Sequence, residues 1–167
     1  MNDIPKNQVN LYTNLRKNAL GITADQIESY SPISESQVYG VMIDWEIEES
    51  LASLVAYLSG DASIYLSEGR GIIGGGNFEN VRNEVFSLLD MAPGLIEKAT
   101  KLEEVPFPEK GTCRIMLFTK QGFYCMEEKT KELNSTNSIW GSFLLQTKKV
   151  HQALVESQKE QDINLKN

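Results

Sequence analysis

Positions 69–74, Gly-Arg-Gly-Ile-Ile-Gly, carry the spacing G-x-G-x-x-G. Between a strand and a helix, such glycines let the chain turn tightly and bring its amides onto a pyrophosphate. The local order fits, since a β-prone run precedes the glycines and an amphipathic stretch follows them. The wider context does not. A dinucleotide fold needs a second parallel strand after the helix, ending in an acid that takes the ribose hydroxyl about 20 residues on. Here that region, residues 91–100, contains Pro93 and Gly94 and reads as helical. The tract also lacks the Gly-Lys-Ser/Thr ending of a P-loop, so no cofactor is expected. Two readings of the tract remain. Gly74, Gly75, Gly76 and Asn77, with Arg70 or Arg82 nearby, could hold a small anion on free amides at the positive end of a helix. Alternatively, residues without Cβ let the chain bend and the helix lie close on a sheet. Packing is the expected role and ligand binding the alternative.

Asp44, Glu46 and Glu48 recur at alternate positions, so on a strand their carboxylates stand about 7 Å apart and could join Asp61 around a hard cation. No Asp-rich calcium loop or histidine cluster accompanies them, so solvent is expected to explain the stripe and no metal is expected. His151 is the single histidine, and any Ser-His-Asp or Cys-His arrangement must use it. It falls within the last predicted helix, neither cysteine sits at a helix amino terminus where a thiolate is stabilised, and no G-x-S-x-G elbow occurs. No catalytic residue is assigned. Cys113 and Cys125 lie on two apolar segments joined by Thr119, Lys120, Gln121 and Gly122, which read as a hairpin. With those four residues as the loop, Phe118 faces Phe123, Cys125 faces Met116, and Cys113 points to the opposite face. A disulfide is disfavoured.

Sixteen Lys and Arg against 23 Asp and Glu give a net charge of −7 with no basic run. Nucleic acid and anionic membrane surfaces are therefore not expected as partners. No apolar run approaches the roughly 20 residues of a membrane span. Residues 1–16, MNDIPKNQVNLYTNLR, lack a basic start and an apolar core, so no secretory signal is expected and the expected location is cytoplasmic. A length of 167 residues with 41% apolar residues suffices for one core without a disulfide or metal staple.

The elements that must position these groups follow from periodicity. Residues 4–19 carry Val9, Leu11, Tyr12, Leu15 and Ala19 on a helical stripe, with Pro5 in its first turn and Gly21 as its stop. Thr23-Ala24-Asp25-Gln26 is a capping-box pattern, and residues 30–37 read as a linker. Residues 38–47 alternate, with Val41, Ile43, Trp45 and Ile47 opposite Met42, Asp44 and Glu46, which predicts a half-buried strand. Residues 51–58 and 62–67, separated by Ser59-Gly60-Asp61, complete a three-strand meander. Phe78, Val81, Val85, Leu88, Leu89 and Ala92 mark a helix with Asn77 as N-cap. Pro93 and Gly94 interrupt it, residues 95–102 read as a second short helix, and the hairpin follows. Ile139, Trp140, Phe143, Leu144, Thr147, Val150, Leu154 and Val155 give a long final helix before a polar tail from Glu156.

This order predicts a single α+β domain with one mainly antiparallel sheet of about five strands flanked by helices. It divides into an amino-terminal helix and linker (1–37), a main body (38–155) and a tail (156–167). The element order resembles that of the profilin and roadblock class of small sensor and scaffold domains, which implies a fold plan and no activity. Residues 54–76, LVAYLSGDASIYLSEGRGIIGGG, with the helix over 78–86 and the hairpin over 117–122, resemble a family of uncharacterised bacterial proteins. That resemblance covers about the central half of the chain and implies a single compact domain. The expected function is a non-enzymatic interaction or scaffold module that forms a homodimer through a helix or an open sheet edge, with Trp140, Phe143, Leu144 and Leu154 as candidate contacts. The alternative is a small anionic-ligand-binding domain using the glycine tract.

Overall fold

The computed structural model describes residues 6–27, 31–47, 49–130 and 139–164. The predicted helix start at Ile4 and Pro5, Tyr30 of the predicted linker and Glu48 of the acidic stripe lie outside them. The elements are α1 (Lys6–Leu20), β1 (Gly40–Ile47), β2 (Ser50–Tyr57), β3 (Ala62–Leu66), β4 (Gly71–Ile72), α2 (Glu79–Met91), α3 (Pro93–Ile96), β5 (Thr100–Leu102), β6 (Thr112–Thr119), β7 (Gly122–Lys129) and α4 (Ile139–Asn164). Among the described residues, seven strands form one sheet in the order β4-β3-β2-β1-β6-β7-β5, and every neighbouring pair is antiparallel.

The meander and the hairpin form where the alternation predicts them. The sheet has seven strands rather than about five because two short strands border it. β4 forms inside the glycine tract, and β5 forms at residues 100–102, where a helix is predicted. Runs of two and three residues are too short to show a period. They are strands because β3 and β7 offer unpaired backbone beside them, with Thr100 opposite Cys125 and Leu102 opposite Phe123. Pro93 likewise opens α3 as well as ending α2, since the first turn of a helix needs no amide from it.

The register sorts side chains to two faces. Val41, Ile43, Leu54, Ala56, Ile64, Ile115 and Leu117 pack beneath α2 and α4 with Val85, Leu88, Phe143 and Leu154. Met42, Val55, Tyr57, Tyr65, Met116 and Phe118 form the other face, beneath α1, with Tyr12 and Ala19. The strand predicted to be half-buried is thus covered on both sides, because α1 returns across the sheet. Phe118 makes edge-on ring contacts with Tyr39, Tyr57 and Phe123 at centroid distances of 6.0, 6.2 and 5.1 Å. Gly40 lies between them: a Cβ there would come within 2.9 Å of Tyr57 and 3.0 Å of Phe118.

α4 continues to Asn164, well past the predicted onset of a polar tail at Glu156. Ser157 lies buried on its inner side and donates its hydroxyl to the Leu154 carbonyl. The candidate interface stripe on this helix is used inside the chain. Phe143 and Leu154 are fully buried, and Trp140 and Leu144 pack partly buried against the same core. Gln146 Nε2 ties α4 to α2 by donating to the Glu84 carbonyl (3.0 Å) and carboxylate (2.7 Å). Among the described residues, no helix is long and apolar enough to cross a membrane.

Because Phe143 is buried within the chain, a charge there should unfold the domain rather than separate two copies. Phe143→Ala should cost about 3–5 kcal/mol in urea unfolding, and Phe143→Glu should abolish the cooperative transition. Leu145→Glu on the exposed side of α4 should shift stability by no more than about 0.5 kcal/mol.

Candidate functional site

The glycine tract forms a compact corner between β3 and α2. Gly74 adopts a left-handed conformation (φ 77°, ψ 52°) at the entry to a 3₁₀ turn over Gly75–Asn77. Its amide donates to Ser63 Oγ at 3.1 Å, and the Gly76 amide donates to Asp61 Oδ1 at 2.7 Å. The Gly76 carbonyl accepts from Arg82 Nη1 at 2.8 Å. Gly75 is buried where a Cβ would fall 2.4 Å from Leu154 Cδ2 and 3.0 Å from Val81 Cγ1, so α4 and α2 close over it. Gly74, Gly75, Gly76 and Asn77 therefore share one turn, and two of the amides that an anion would need already carry the chain's own acceptors. Arg70 extends into solvent and pairs with Glu68. Asn77 ends the turn, and the N-cap of α2 is Phe78, with no side-chain cap bond and with Glu79 in the first helical turn. Asn77 was expected there because its side chain is a good cap; the 3₁₀ turn shifts the helix start by one residue.

A second constellation links five elements of the chain and the segment between β5 and β6. Asp44 on β1 stands opposite Ser53 on β2 and Arg114 on β6, and Arg114 stands opposite Glu127 on β7. Tyr12 and Arg16, four residues apart on α1, reach this row from above. Arg16 Nη2 donates to Asp44 Oδ2 at 2.6 Å and Nε to Oδ1 at 3.3 Å, with side chains 4% and 0% exposed. Ser53 Oγ donates to Asp44 Oδ1. Because its one proton is spent there, Tyr12 donates to Ser53 Oγ at 2.8 Å. The Pro106 carbonyl, on the segment between β5 and β6, accepts from both Arg16 and Arg114, and Arg114 Nε donates to Glu127 Oε2 at 2.7 Å. The Phe107 ring lies 4.7 Å from Arg16 Cζ and 6.0 Å from the Tyr12 ring. Among the described residues, no buried side-chain nitrogen or oxygen lacks a hydrogen-bond partner.

The sequence reading missed this network by assigning Asp44 to a solvated stripe. The available signal was Met42 on the same strand side, an apolar residue that solvent does not explain. Asp44 and Asp61 are not brought together. Asp61 follows Tyr57, whose register partner is Gly40, four residues along β1 from Asp44. Among the described residues, no group of three His, Cys, Asp or Glu could hold a metal ion.

The nucleophiles and bases are dispersed. Ser53 is fully buried beneath α1. His151 lies on α4, and burial lowers its pKa below the ordinary value. The hairpin places Phe118 opposite Phe123 and Cys125 opposite Met116, with a two-residue loop in place of the expected four. The parity survives because the loop shortens by one whole pair, Thr119 and Gly122. Cys113 consequently packs under α2 and α4 and Cys125 on the α1 face, both as free thiols. Burial raises Cys113 to about 12 and Cys125 to about 11. Tyr12 is raised to about 12, first by burial and then by the charge of Asp44, so its hydroxyl stays a donor. No protein-family model, curated protein or solved structure matches this chain.

The two neighbouring glycines should fail for different reasons. Gly74→Ala has open space but a positive φ, and should cost about 1 kcal/mol in urea unfolding. Gly75→Ala overpacks a closed core and should cost about 1–3 kcal/mol, relieved when Leu154→Val makes room.

Stability should also fall as pH rises above about 9. The unfolded thiols ionise near 9.0 while the native ones hold their protons to about 11 and 12. The unfolded state then binds fewer protons, which makes the slope of stability against pH negative. Urea midpoints should decline from about pH 9 toward about 11, and less steeply in a Cys113→Ala, Cys125→Ala chain.

Proposed function

We propose that this chain is a non-enzymatic interaction module that self-associates through the β5 edge of its sheet. One observation carries the reading: β5 closes the sheet, and among the described residues no strand pairs with its outer side. Such an edge presents unpaired amides and carbonyls, which a second strand can satisfy. The helix route to association is weaker, since the apolar stripe of α4 is spent on the core. At the opposite edge, β4 has two residues and runs directly into the glycine corner.

Two copies related by a two-fold axis would pair β5 with β5 in antiparallel fashion. A register centred on Leu102 sets exposed Lys101 of each copy against exposed Glu103 of the other, two opposite-charge pairs that favour this alignment. The raised thiols, the buried Ser53 and the isolated His151 support a binding rather than a catalytic role. The net charge of −7 favours a protein partner over nucleic acid or an anionic membrane, and the free cysteines on opposite faces suit the reducing cytoplasm. This role accords with the scaffold domains of the profilin and roadblock class whose element order the sequence resembles.

Sedimentation equilibrium tests the interface. The wild-type chain should show a concentration-dependent dimer, Lys101→Glu should shift it to monomer, and Lys101→Glu with Glu103→Lys should restore the dimer. A single-chain mass for the wild type across the micromolar range overturns the proposal.

A further inference from the structure

The two helical layers are attached to the sheet by different means. α2 and α4 are seated by fully buried apolar residues, among them Val81, Val85, Leu88, Phe143 and Leu154. On α1, over residues 11–20, Tyr12, Arg16 and Ala19 are buried, whereas Leu11 is 48% exposed and Leu15 and Leu20 are partly covered. Between Tyr12 and Ala19 its fastening is polar as well as apolar. Tyr12 donates to Ser53, Arg16 grips Asp44, and the Ala19 carbonyl accepts from Tyr57 Oη at 2.8 Å. Just beyond the helix, the Ile22 carbonyl accepts from Tyr39 Oη at 3.0 Å.

Polar and apolar fastenings respond differently to separation. When an apolar helix leaves a sheet, water gains nothing from either surface. When α1 leaves, Arg16, Asp44, Ser53 and the Tyr12 and Tyr57 hydroxyls regain water, which repays much of the lost bonding, so the remaining cost is the apolar surface bared beneath the helix. The helix is joined to β1 by residues 21–39, a connection in which Ala24, Ile33, Val38 and Tyr39 are themselves buried, so undocking draws the start of that connection away with the helix. We propose that α1 is a releasable latch, which undocks with its polar key while the sheet, α2 and α4 stay folded.

Release bares Met42, Val55, Tyr65, Met116 and Phe118 around the Asp44 carboxylate. A face of methionine and aromatic side chains adapts to differently shaped apolar ligands, and its central carboxylate demands a cation. The occupant it fits is an amphipathic helix with a basic residue on its apolar side, the chemistry of α1 itself. The two native thiols report on the two layers separately, because Cys125 packs with the α1 face and Cys113 under α2 and α4.

Amide hydrogen exchange and thiol alkylation on the full chain test the latch. In the wild type, α1 amides should exchange faster than those of α2 and α4. Tyr12→Phe, which removes one hydroxyl, should accelerate α1 exchange and Cys125 alkylation about fivefold with Cys113 unchanged, and Asp44→Asn should accelerate α1 exchange more strongly, with the α4 amides unchanged in both variants. Equal protection of α1 and α4, parallel acceleration of both thiols, or no response to Tyr12→Phe overturns it. Should Asp44→Asn fail to fold, Tyr12→Phe decides alone.

Discussion

A carboxylate with no exposure to water sits at the centre of the sheet, and the arrangement around it follows from what that demands. Asp44 is reached neither by solvent nor by a metal ligand set, so its charge must be met by a cation and its lone pairs by donors. Arg16 supplies the cation, and Ser53 supplies a hydroxyl whose own acceptor position is filled by Tyr12. That requirement fixes the rotation of α1 about its axis and its height along β1. It also recruits the segment between β5 and β6, since the Pro106 carbonyl accepts a hydrogen bond from each of Arg16 and Arg114.

The two faces of the sheet consequently differ in character. One is a dry interlock of α2, α4 and aliphatic side chains, where shape complementarity sets the fit and Gly75 marks the closest approach. The other mixes methionine, tyrosine and phenylalanine with a closed polar network. Polar networks of this kind contribute specificity more than net stability, because desolvation offsets much of the attraction. Both faces bury apolar residues and hold the domain together, and the polar network on the second also sets how α1 lies on it.

The same physics accounts for the reactive groups. The two cysteines are the residues most able to act as nucleophiles, and burial on opposite sides of one sheet keeps each protonated and apart from the other. The glycine corner, which has the spacing of a phosphate loop, has turned its amides onto Ser63 and Asp61 of its own chain. An internal carboxylate stands in the position that an external anion would take.

Much of this was legible in the residues. The meander, the hairpin with its cysteines on opposite faces, the capping box at Thr23 and Gln26 and the inward stripe of α2 each rest on a local period or a turn, and local rules suffice for them. The sequence by itself also determined that Gly74, Gly75 and Gly76 form a bend before a helix. It did not determine what Asp44 touches, since a carboxylate at an alternating position reads the same whether water or Arg16 faces it, and the partner is 28 residues away. Nor did it determine that β5 is a strand, because three residues carry no period and become extended only when β7 lies beside them. The tertiary structure decided these points, along with whether Phe143 is buried within one chain or between two, because burial and pairing are properties of neighbours brought together by folding.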